Sequence, residues 1–174
     1  PLDLCVTLRE VTRLWEEQAL GKGLTFRLEL SHAPGWIVSD AGRLRQIVFN
    51  LLSNAIKFTQ RGGIVLRAVA EGEGETRRLR LVVSDTGIGI PTDKFEEVFE
   101  SFRQVDAGTT RQFGGTGLGL TICRNLARAL GGEISVDIGM LPEMKTTEPY
   151  SPSARAKASA KPVSQAGNKY GRIT

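Results

Sequence analysis

Residues 114–120 read Gly-Gly-Thr-Gly-Leu-Gly-Leu and run directly into a segment whose periodicity predicts a helix over Leu118–Leu130. Glycines in such a run remove side chains where the backbone must bend and approach a ligand closely. The start of the following helix presents unpaired N–H groups and the positive end of the helix dipole, which together bind phosphate. A flexible loop that caps a core helix has the same pattern, so the rest of the sequence must decide.

The composition is that of one globular domain. Of the 174 residues, 40% are apolar and 24% are charged. No apolar run approaches the roughly 20 residues that span a bilayer, so we expect no direct membrane contact by this chain. Cys5 and Cys123 lack metal-ligand spacing, and Cys123 falls among apolar helix positions, which favours a buried structural thiol. We expect a cytoplasmic setting. Pro1 in place of Met suggests a fragment, and membrane attachment of the parent protein stays open.

The positive charge is confined to the C-terminal part. The net charge is +4, and residues 138–174 hold six basic residues against two acidic ones, so residues 1–137 are neutral. This distribution argues against nucleic-acid binding by the body of the protein. We assign residues 1–137 to the folded domain. Residues 138–174, rich in Ser, Ala, Pro and Lys, are expected to be a basic tail that is disordered or derives from an expression vector.

Hydrophobic periodicity predicts alternating helices and strands before residue 137. The predicted elements are a helix from Leu4, a strand Leu24–Leu30, a short strand Trp36–Val38, a helix from the N-cap Asp40 to about Thr59, strands Ile64–Ala70 and Leu79–Ser84 as a hairpin, a short helix Lys94–Phe102, the helix Leu118–Leu130 and a strand Glu133–Val136. The polar segment Asp106–Gly114 is expected to be a loop.

The long predicted helix has a polar stripe opposite its apolar face. Gln46, Asn50, Ser53, Asn54 and Lys57 follow at steps of three and four residues. A solvated surface is the ordinary explanation, but two mid-helix asparagines are poor helix formers, which favours a functional role. An Asn carbonyl oxygen suits Mg²⁺, and Lys57 can reach a phosphate.

A second candidate is Asp85-Thr86-Gly87-Ile88-Gly89, directly after a predicted strand. The Asp85 carboxylate can accept hydrogen bonds from an exocyclic amine such as that of adenine, and Gly87 and Gly89 let the backbone pass under a flat base. A tight turn closed by an Asx hydrogen bond explains the same residues equally well.

Taken together, four segments resemble the conserved boxes of the sensor histidine kinase ATP-binding domain, of the gyrase, Hsp90, histidine kinase and MutL ATPase superfamily. The segments are residues 50–58 (Asn-Leu-Leu-Ser-Asn-Ala-Ile-Lys-Phe), 85–89 (Asp-Thr-Gly-Ile-Gly), 99–106 (Phe-Glu-Ser-Phe-Arg-Gln-Val-Asp) and 115–120 (Gly-Thr-Gly-Leu-Gly-Leu). Their order and spacing match, and the form of the third box resembles the hybrid histidine kinases. The resemblance covers residues 1–137.

The resemblance implies a two-layer α/β sandwich of the Bergerat type, with a mixed sheet packed against about three helices and an ATP lid over residues 106–114. It implies ATP and Mg²⁺ as cofactors, with Asn50 as the metal ligand, Asn54 and Lys57 at the phosphates, and Phe58 near the sugar or base. Asp85 would bind the adenine amine in a pocket shaped by Gly87 and Gly89. Arg111 flanks the lid and can close on the phosphates. The residues implied to hold the triphosphate are Gly115, Thr116, Gly117, Leu118 and Gly119.

The implied activity is transfer of the γ-phosphoryl group to a histidine on a dimerisation domain of the same protein, and from there to a receiver domain or response regulator. His32, the only histidine, lies in a predicted turn, so we expect no autophosphorylation by this chain alone. A non-catalytic nucleotide-sensing or partner-binding module on the same fold is the alternative. A gyrase-type ATPase would need a glutamate base on the long helix, where Gln46 stands instead. The family's last core strand has no clear counterpart after residue 137.

Overall fold

A computed structural model of the chain describes residues 1–74, 77–100, 118–138 and 156–162. Within these ranges, three helices pack on one face of a mixed sheet. The helices are α1 (Leu4–Gly21), α2 (Ala41–Phe58) and α3 (Gly119–Ala129). The strands are β1 (Leu2–Asp3), β2 (Thr25–His32), β3 (Trp36–Ile37), β4 (Gly63–Glu71), β5 (Arg78–Asp85), β6 (Gly132–Ile138) and β7 (Ala156–Pro162).

The main sheet has the strand order β2-β4-β5-β7-β6. β2 and β4 are parallel, because α2 lies between them in the chain, and the other neighbours are antiparallel. β1 and β3 form a separate antiparallel pair. This arrangement confirms the predicted two-layer α/β sandwich with a mixed sheet.

The core lies between the helices and one face of the sheet. It contains Leu4, Leu8 and Trp15 of α1, Leu44, Ile47 and Leu52 of α2, Cys123 and Ala127 of α3, and Ile64, Leu66, Leu81, Val83 and Ile134 of the sheet. Burial of this apolar area, at about 25 cal/mol per Å², is the main stabilising contribution to the fold. Because α2 contributes an apolar face here, its opposite polar face stays available for a ligand.

Local sequence explains the ends of α2. The Asp40 side chain accepts a hydrogen bond from the Arg43 backbone N–H (3.0 Å), as an N-cap does. At the other end, Lys22 Nζ donates to the Ile56 carbonyl oxygen (2.9 Å), which places a cation at the negative end of the helix dipole. The predicted N-cap at Asp40 is therefore confirmed, and the helix ends within one residue of the predicted position.

One predicted element differs from the structure, and one strand lies where the sequence left the question open. The short helix expected over residues 94–102 is two 3₁₀ turns, Thr92–Lys94 and Glu97–Phe99, and residues 101–102 lie outside the described ranges. The sequence leaves open whether a last core strand follows residue 137, and in the structure Ala156–Pro162 forms β7 between β5 and β6. Its sequence, Ala-Lys-Ala-Ser-Ala-Lys-Pro, lacks the large apolar residues that mark a strand, and pairing with a neighbour on each side supplies its hydrogen bonds instead. The division of the chain at residue 137 otherwise stays a prediction.

Candidate functional site

The polar stripe of α2 is partly covered. Asn50, Asn54, Lys57 and Phe58 each have intermediate exposure, whereas Gln46, one turn before Asn50, is exposed. A face that only met solvent would leave these side chains open, and a core face would cover them completely. These four side chains therefore belong neither to the core nor to the fully open surface.

Asn50, one turn after Gln46 in the stripe, contacts α3. Its side-chain Nδ2 is buried and forms no hydrogen bond within the described residues, and its amide lies beside the thiol of Cys123. The Cys123 Sγ is 3.7 Å from the Ile47 carbonyl oxygen, one turn before Asn50. Burial raises the pKa of the Cys123 thiol to about 12, against a smaller lowering effect of the Asn50 side chain. Cys123 is thus a buried structural thiol, as the sequence predicts.

The second asparagine, Asn54, faces the start of α3. A methyl group added to Gly119 would lie 3.7 Å from Asn54 Nδ2. No side chain caps this helix end in the described ranges, and its first backbone hydrogen bond runs from Ile122 N to the Leu118 carbonyl oxygen (2.9 Å). The N–H groups of the first turn and the positive end of the helix dipole therefore lie next to the polar stripe of α2.

The aspartate predicted to read a base ends β5. Asp85 Oδ1 accepts a hydrogen bond from the Gly87 backbone N–H (2.8 Å), the Asx geometry that the turn interpretation predicts. The Thr59 hydroxyl lies 3.5 Å from the same oxygen. The turn and the binding interpretation are therefore compatible, because the turn fixes the orientation of the carboxylate.

Gly87 is required for space at this turn. A Cβ atom on Gly87 would lie 2.6 Å from the Phe58 carbonyl oxygen and 2.7 Å from Asp85 Oδ1. The same Phe58 oxygen accepts a hydrogen bond from Ile88 N (3.3 Å). The loop after β5 thus lies directly against the end of α2, which only a residue without a side chain permits. Gly89 has φ +74°, a conformation that favours glycine.

Thr86 connects the same loop to the turn between α2 and β4. Its hydroxyl donates to the Arg61 carbonyl oxygen (2.5 Å) and accepts from Gly63 N (3.0 Å). Its backbone N–H donates to the Gly63 carbonyl oxygen (3.2 Å). The end of α2 and the end of β5 are therefore held at a fixed separation.

Lys57 and Phe58 stand at the end of α2, beside this loop. Lys57 Nζ is 4.9 Å from the centroid of the Phe58 ring, within the range of a cation–π interaction. Both side chains are partly buried, so an aromatic surface and a cation lie together at the end of α2.

The structure thus brings together Asn50, Asn54, Gly119, Lys57, Phe58, Asp85 and Gly87, from three separate parts of the chain. Arg111, Gly115, Thr116, Gly117 and the predicted lid at 106–114 lie outside the described residues. Sequence reasoning missed Thr59 and the connecting role of Thr86. Thr59 directly follows Phe58, and Thr86 directly follows Asp85. Sequence periodicity does not indicate the role of either threonine, because their hydrogen-bond partners lie far away along the chain.

A metal ion at this site would have few protein ligands. No group of three or more His, Cys, Asp or Glu side chains able to hold a metal ion occurs in the described ranges. Asn50 offers one neutral amide oxygen, and its Nδ2 is buried without a hydrogen-bond partner among the described residues. That donor set fits Mg²⁺ that takes its remaining ligands from phosphate and water.

Two further features lie away from this site. A cavity of about 360 Å³ at the β2–β4 edge is lined by Glu29, Ser31, His32 and Arg67, among others, and by none of the predicted site residues. His32 is the last residue of β2, where the sequence predicts a turn. No helix in the described part of the chain has both the length and the apolar character to cross a membrane.

Comparison with known proteins agrees with this geometry. Residues 39–162 match the family model described as histidine kinase-, DNA gyrase B-, and HSP90-like ATPase. The sensory/regulatory protein RpfC of Xanthomonas campestris is 40% identical over 127 residues, covering 71% of this chain and 18% of RpfC. The histidine-protein kinase BarA of Escherichia coli is 41% identical over 137 residues, covering 78% of this chain and 15% of BarA. The chain therefore spans less than a fifth of the length of these relatives.

Solved structures have the same fold. Full-length ShkA, determined in complex with AMPPNP, superimposes with a TM-score of 0.73 at 34% identity, covering 93% of this chain and 30% of ShkA. The catalytic domain of the histidine kinase ThkA gives a TM-score of 0.65, covering 92% of this chain and 93% of ThkA's domain, with 24% identity that supports the fold alone. The family match extends to residue 162, the end of β7, and so includes the strand that the sequence did not predict.

Proposed function

Since this chain belongs to the histidine kinase-, DNA gyrase B-, and HSP90-like ATPase family, we propose that it holds Mg-ATP between α2 and α3 and donates the γ-phosphoryl group to a histidine on another domain. The chain is an ATP-binding catalytic module of the histidine kinase type. The proximity of Gly119 to Asn54 is the observation that supports this proposal most directly.

The phosphates have a suitable place at the start of α3. Uncapped N–H groups and the helix dipole attract a polyanion, and the Asn54 amide adds a donor on the facing helix. Lys57 contributes positive charge at the end of the same stripe. In phosphoryl transfer, positioning and charge neutralisation carry most of the catalysis, and these groups supply both.

The adenine has a suitable place beside Asp85. A carboxylate that is held in one orientation by Gly87 accepts a hydrogen bond from the 6-amino group. The Phe58 ring offers an apolar surface nearby, because the loop that carries Gly87 packs directly against the backbone of Phe58.

Asn50 is the residue that would hold Mg²⁺, through its amide oxygen. When bound, the ion would neutralise charge on the phosphates and help to orient them. The role of Asn50 is then to hold the phosphates at the α2 side while α3 binds them from the opposite side.

The acceptor must come from outside this chain. His32 is the only histidine in the sequence, and it ends β2, next to the cavity at the β2–β4 edge and not among the site residues. We propose a histidine-bearing dimerisation domain of the same protein as the partner, followed by a receiver domain or response regulator. A cytoplasmic location is part of the same proposal. ATP hydrolysis by the chain alone should be negligible, because the exposed Gln46 amide cannot act as a base toward water.

Two measurements test this function. Equilibrium dialysis should give Mg²⁺-dependent ATP binding, and Asn50→Ala should raise the Mg²⁺ concentration needed for half-saturation. Gln46→Ala, an exposed position on the same helix, is the matched control and should behave as wild type.

Phosphoryl transfer is measured by adding radiolabelled ATP and a dimerisation domain from a related hybrid kinase. Labelled histidine on the added domain is the expected product. ATP binding without any transfer would favour the nucleotide-sensing alternative, and rapid ATP hydrolysis would favour a gyrase-type ATPase.

A further inference from the structure

Thr59 is a buried polar residue at the end of α2. It is 1% exposed, and its backbone N–H donates to the Ala55 carbonyl oxygen (3.1 Å), which ends the helix. A hydroxyl in the protein interior is costly unless it has a hydrogen-bond partner. Valine has nearly the same shape and no such cost, so the hydroxyl at this position needs an explanation.

The hydroxyl is directed at the candidate base-reading carboxylate. Among the described residues, the hydrogen-bond acceptor of the Thr59 hydroxyl is Asp85 Oδ1, at 3.5 Å. The Gly87 N–H donates to the same oxygen at 2.8 Å. The Thr59 contact is longer than an ordinary O–H···O bond, as contacts in ligand-free sites often are before the ligand binds.

We propose that Thr59 is a positioning residue that makes the site specific for a 6-amino purine by holding the Asp85 carboxylate in one orientation. This inference rests on the proposed function, in which Asp85 reads the adenine amine. Two donors to the same oxygen, one at the end of α2 and one in the loop after β5, fix the carboxylate more firmly than the Gly87 N–H alone.

A fixed carboxylate discriminates because it is only an acceptor. It attracts the 6-amino group of adenine and repels the 6-oxo group of hypoxanthine or guanine. A carboxylate that rotates can take in a water molecule, which donates to both the carboxylate and a 6-oxo group and removes the repulsion. Loss of the Thr59 hydroxyl should therefore lower the affinity for ATP. It should also reduce the ratio of the affinity for ATP to the affinity for inosine triphosphate.

The test uses Thr59→Val, which removes the hydroxyl and keeps the shape, with Thr59→Ser as the matched control that keeps the hydroxyl. Affinities are measured by isothermal titration calorimetry for ATP, inosine triphosphate and purine riboside triphosphate, which carries only hydrogen at position 6. Thr59→Val should weaken ATP binding roughly 3- to 10-fold, the usual effect of one hydrogen bond. Binding of purine riboside triphosphate should be unchanged, and Thr59→Ser should bind all three as wild type does.

A purely structural role predicts a different result. Equal weakening of ATP and purine riboside triphosphate by Thr59→Val would overturn the proposal, as would no weakening of either. The double variant with Asp85→Asn provides a further readout, because Thr59→Val should add no loss once Asp85 is changed. If Thr59→Val does not fold, Thr59→Ala in the same titrations tests the same prediction.

Failure of the proposed function gives a separate signature. A wild-type chain that binds ATP and purine riboside triphosphate equally would show that Asp85 does not read the amine. A wild-type chain that prefers ATP, together with a Thr59→Val variant that keeps the full preference, would overturn only the role of Thr59.

Discussion

Asn54 on α2 and Gly119 at the start of α3 are close neighbours, since a methyl group on Gly119 would lie 3.7 Å from Asn54 Nδ2. That separation is an ordinary van der Waals contact, so alanine fits there without strain. It also means that any side chain at residue 119 occupies space between the polar stripe and the helix N-terminus. The contact joins two segments separated by more than 60 residues of sequence.

Gly119→Ala should weaken ATP binding without lowering the stability of the protein. The added methyl group blocks approach of a phosphate to the first-turn N–H groups, so ATP affinity should fall about tenfold or more. Stability should stay the same or rise by up to about 1 kcal/mol, because alanine is the better helix former. Thermal melting and calorimetric titration measure the two effects.

The control for that variant is Gly21→Ala, at the end of α1, where an added Cβ meets nothing within 4 Å. It should leave ATP affinity unchanged. Unchanged affinity in Gly119→Ala would contradict the phosphate site at the start of α3.

Asp85→Asn should weaken ATP binding roughly 10- to 100-fold, the range for a hydrogen bond to a charged group. The amide oxygen can still accept from the Gly87 N–H, so the turn should persist. The amide nitrogen donates where the carboxylate accepted, so inosine triphosphate should bind better relative to ATP. Competition titrations with the two nucleotides measure the ratio.

Asp40→Asn is its matched control, since asparagine caps a helix as well as aspartate does and Asp40 caps α2. It should keep both stability and the nucleotide preference. The assignment of Asp85 to adenine would fail if its variant kept the wild-type preference.

Gly87→Ala should destabilise the protein by about 1–3 kcal/mol, the usual cost of forcing an extra carbon into a packed position. The new Cβ would meet the Phe58 carbonyl oxygen at 2.6 Å, so the loop after β5 must move away from α2. Urea denaturation measures the loss. Gly35→Ala, where an added Cβ meets nothing within 4 Å, should have little effect, and equal stability of the two variants would refute the close approach.

The raised pKa of Cys123 leads us to expect that the protein loses stability at alkaline pH. Its folded pKa, about 12, lies above the ordinary value of 9.0 because burial disfavours the thiolate. Once the pH exceeds about 9, the thiol therefore loses its proton more readily in the unfolded chain than in the folded one. The free energy that burial of the protonated thiol contributes to stability is complete below that pH and decreases above it. The loss should approach about 1.4 kcal/mol for each pH unit.

The comparison is made by urea denaturation at about pH 8 and about pH 10.5, on either side of the ordinary thiol pKa. Cys123→Ala should flatten the alkaline decline, and Cys5→Ala, at the less buried cysteine, should retain it. The same decline in both variants would assign the effect to other groups.

Prediction from sequence succeeded where the signal is local. The ends of α2 follow from an N-cap at Asp40 and an apolar repeat, and the β4–β5 hairpin follows from two alternating runs around a polar loop. The site residues Asn50, Asn54 and Asp85 stood out because their types suit binding better than helix or strand formation. Their roles toward ATP and Mg²⁺ remain predictions.

Prediction failed where a residue's environment comes from distant segments. β7 alternates alanine with lysine or serine but has no large apolar residue, and it pairs with β5 on one side and β6 on the other. Thr59 follows a helix whose pattern ends before it, and its hydroxyl meets a carboxylate 26 residues later in the chain.

By itself, the sequence determined the helices, most of the strands and the family resemblance, because side-chain periodicity and short motifs depend on neighbours along the chain. Only the tertiary structure decided that the start of α3 faces Asn54, that the Thr59 hydroxyl and the Gly87 N–H both lie beside one oxygen of Asp85, and that β7 lies inside the sheet. Each of these is a contact between segments far apart in sequence, and such contacts form when the helices bury their apolar faces against the sheet.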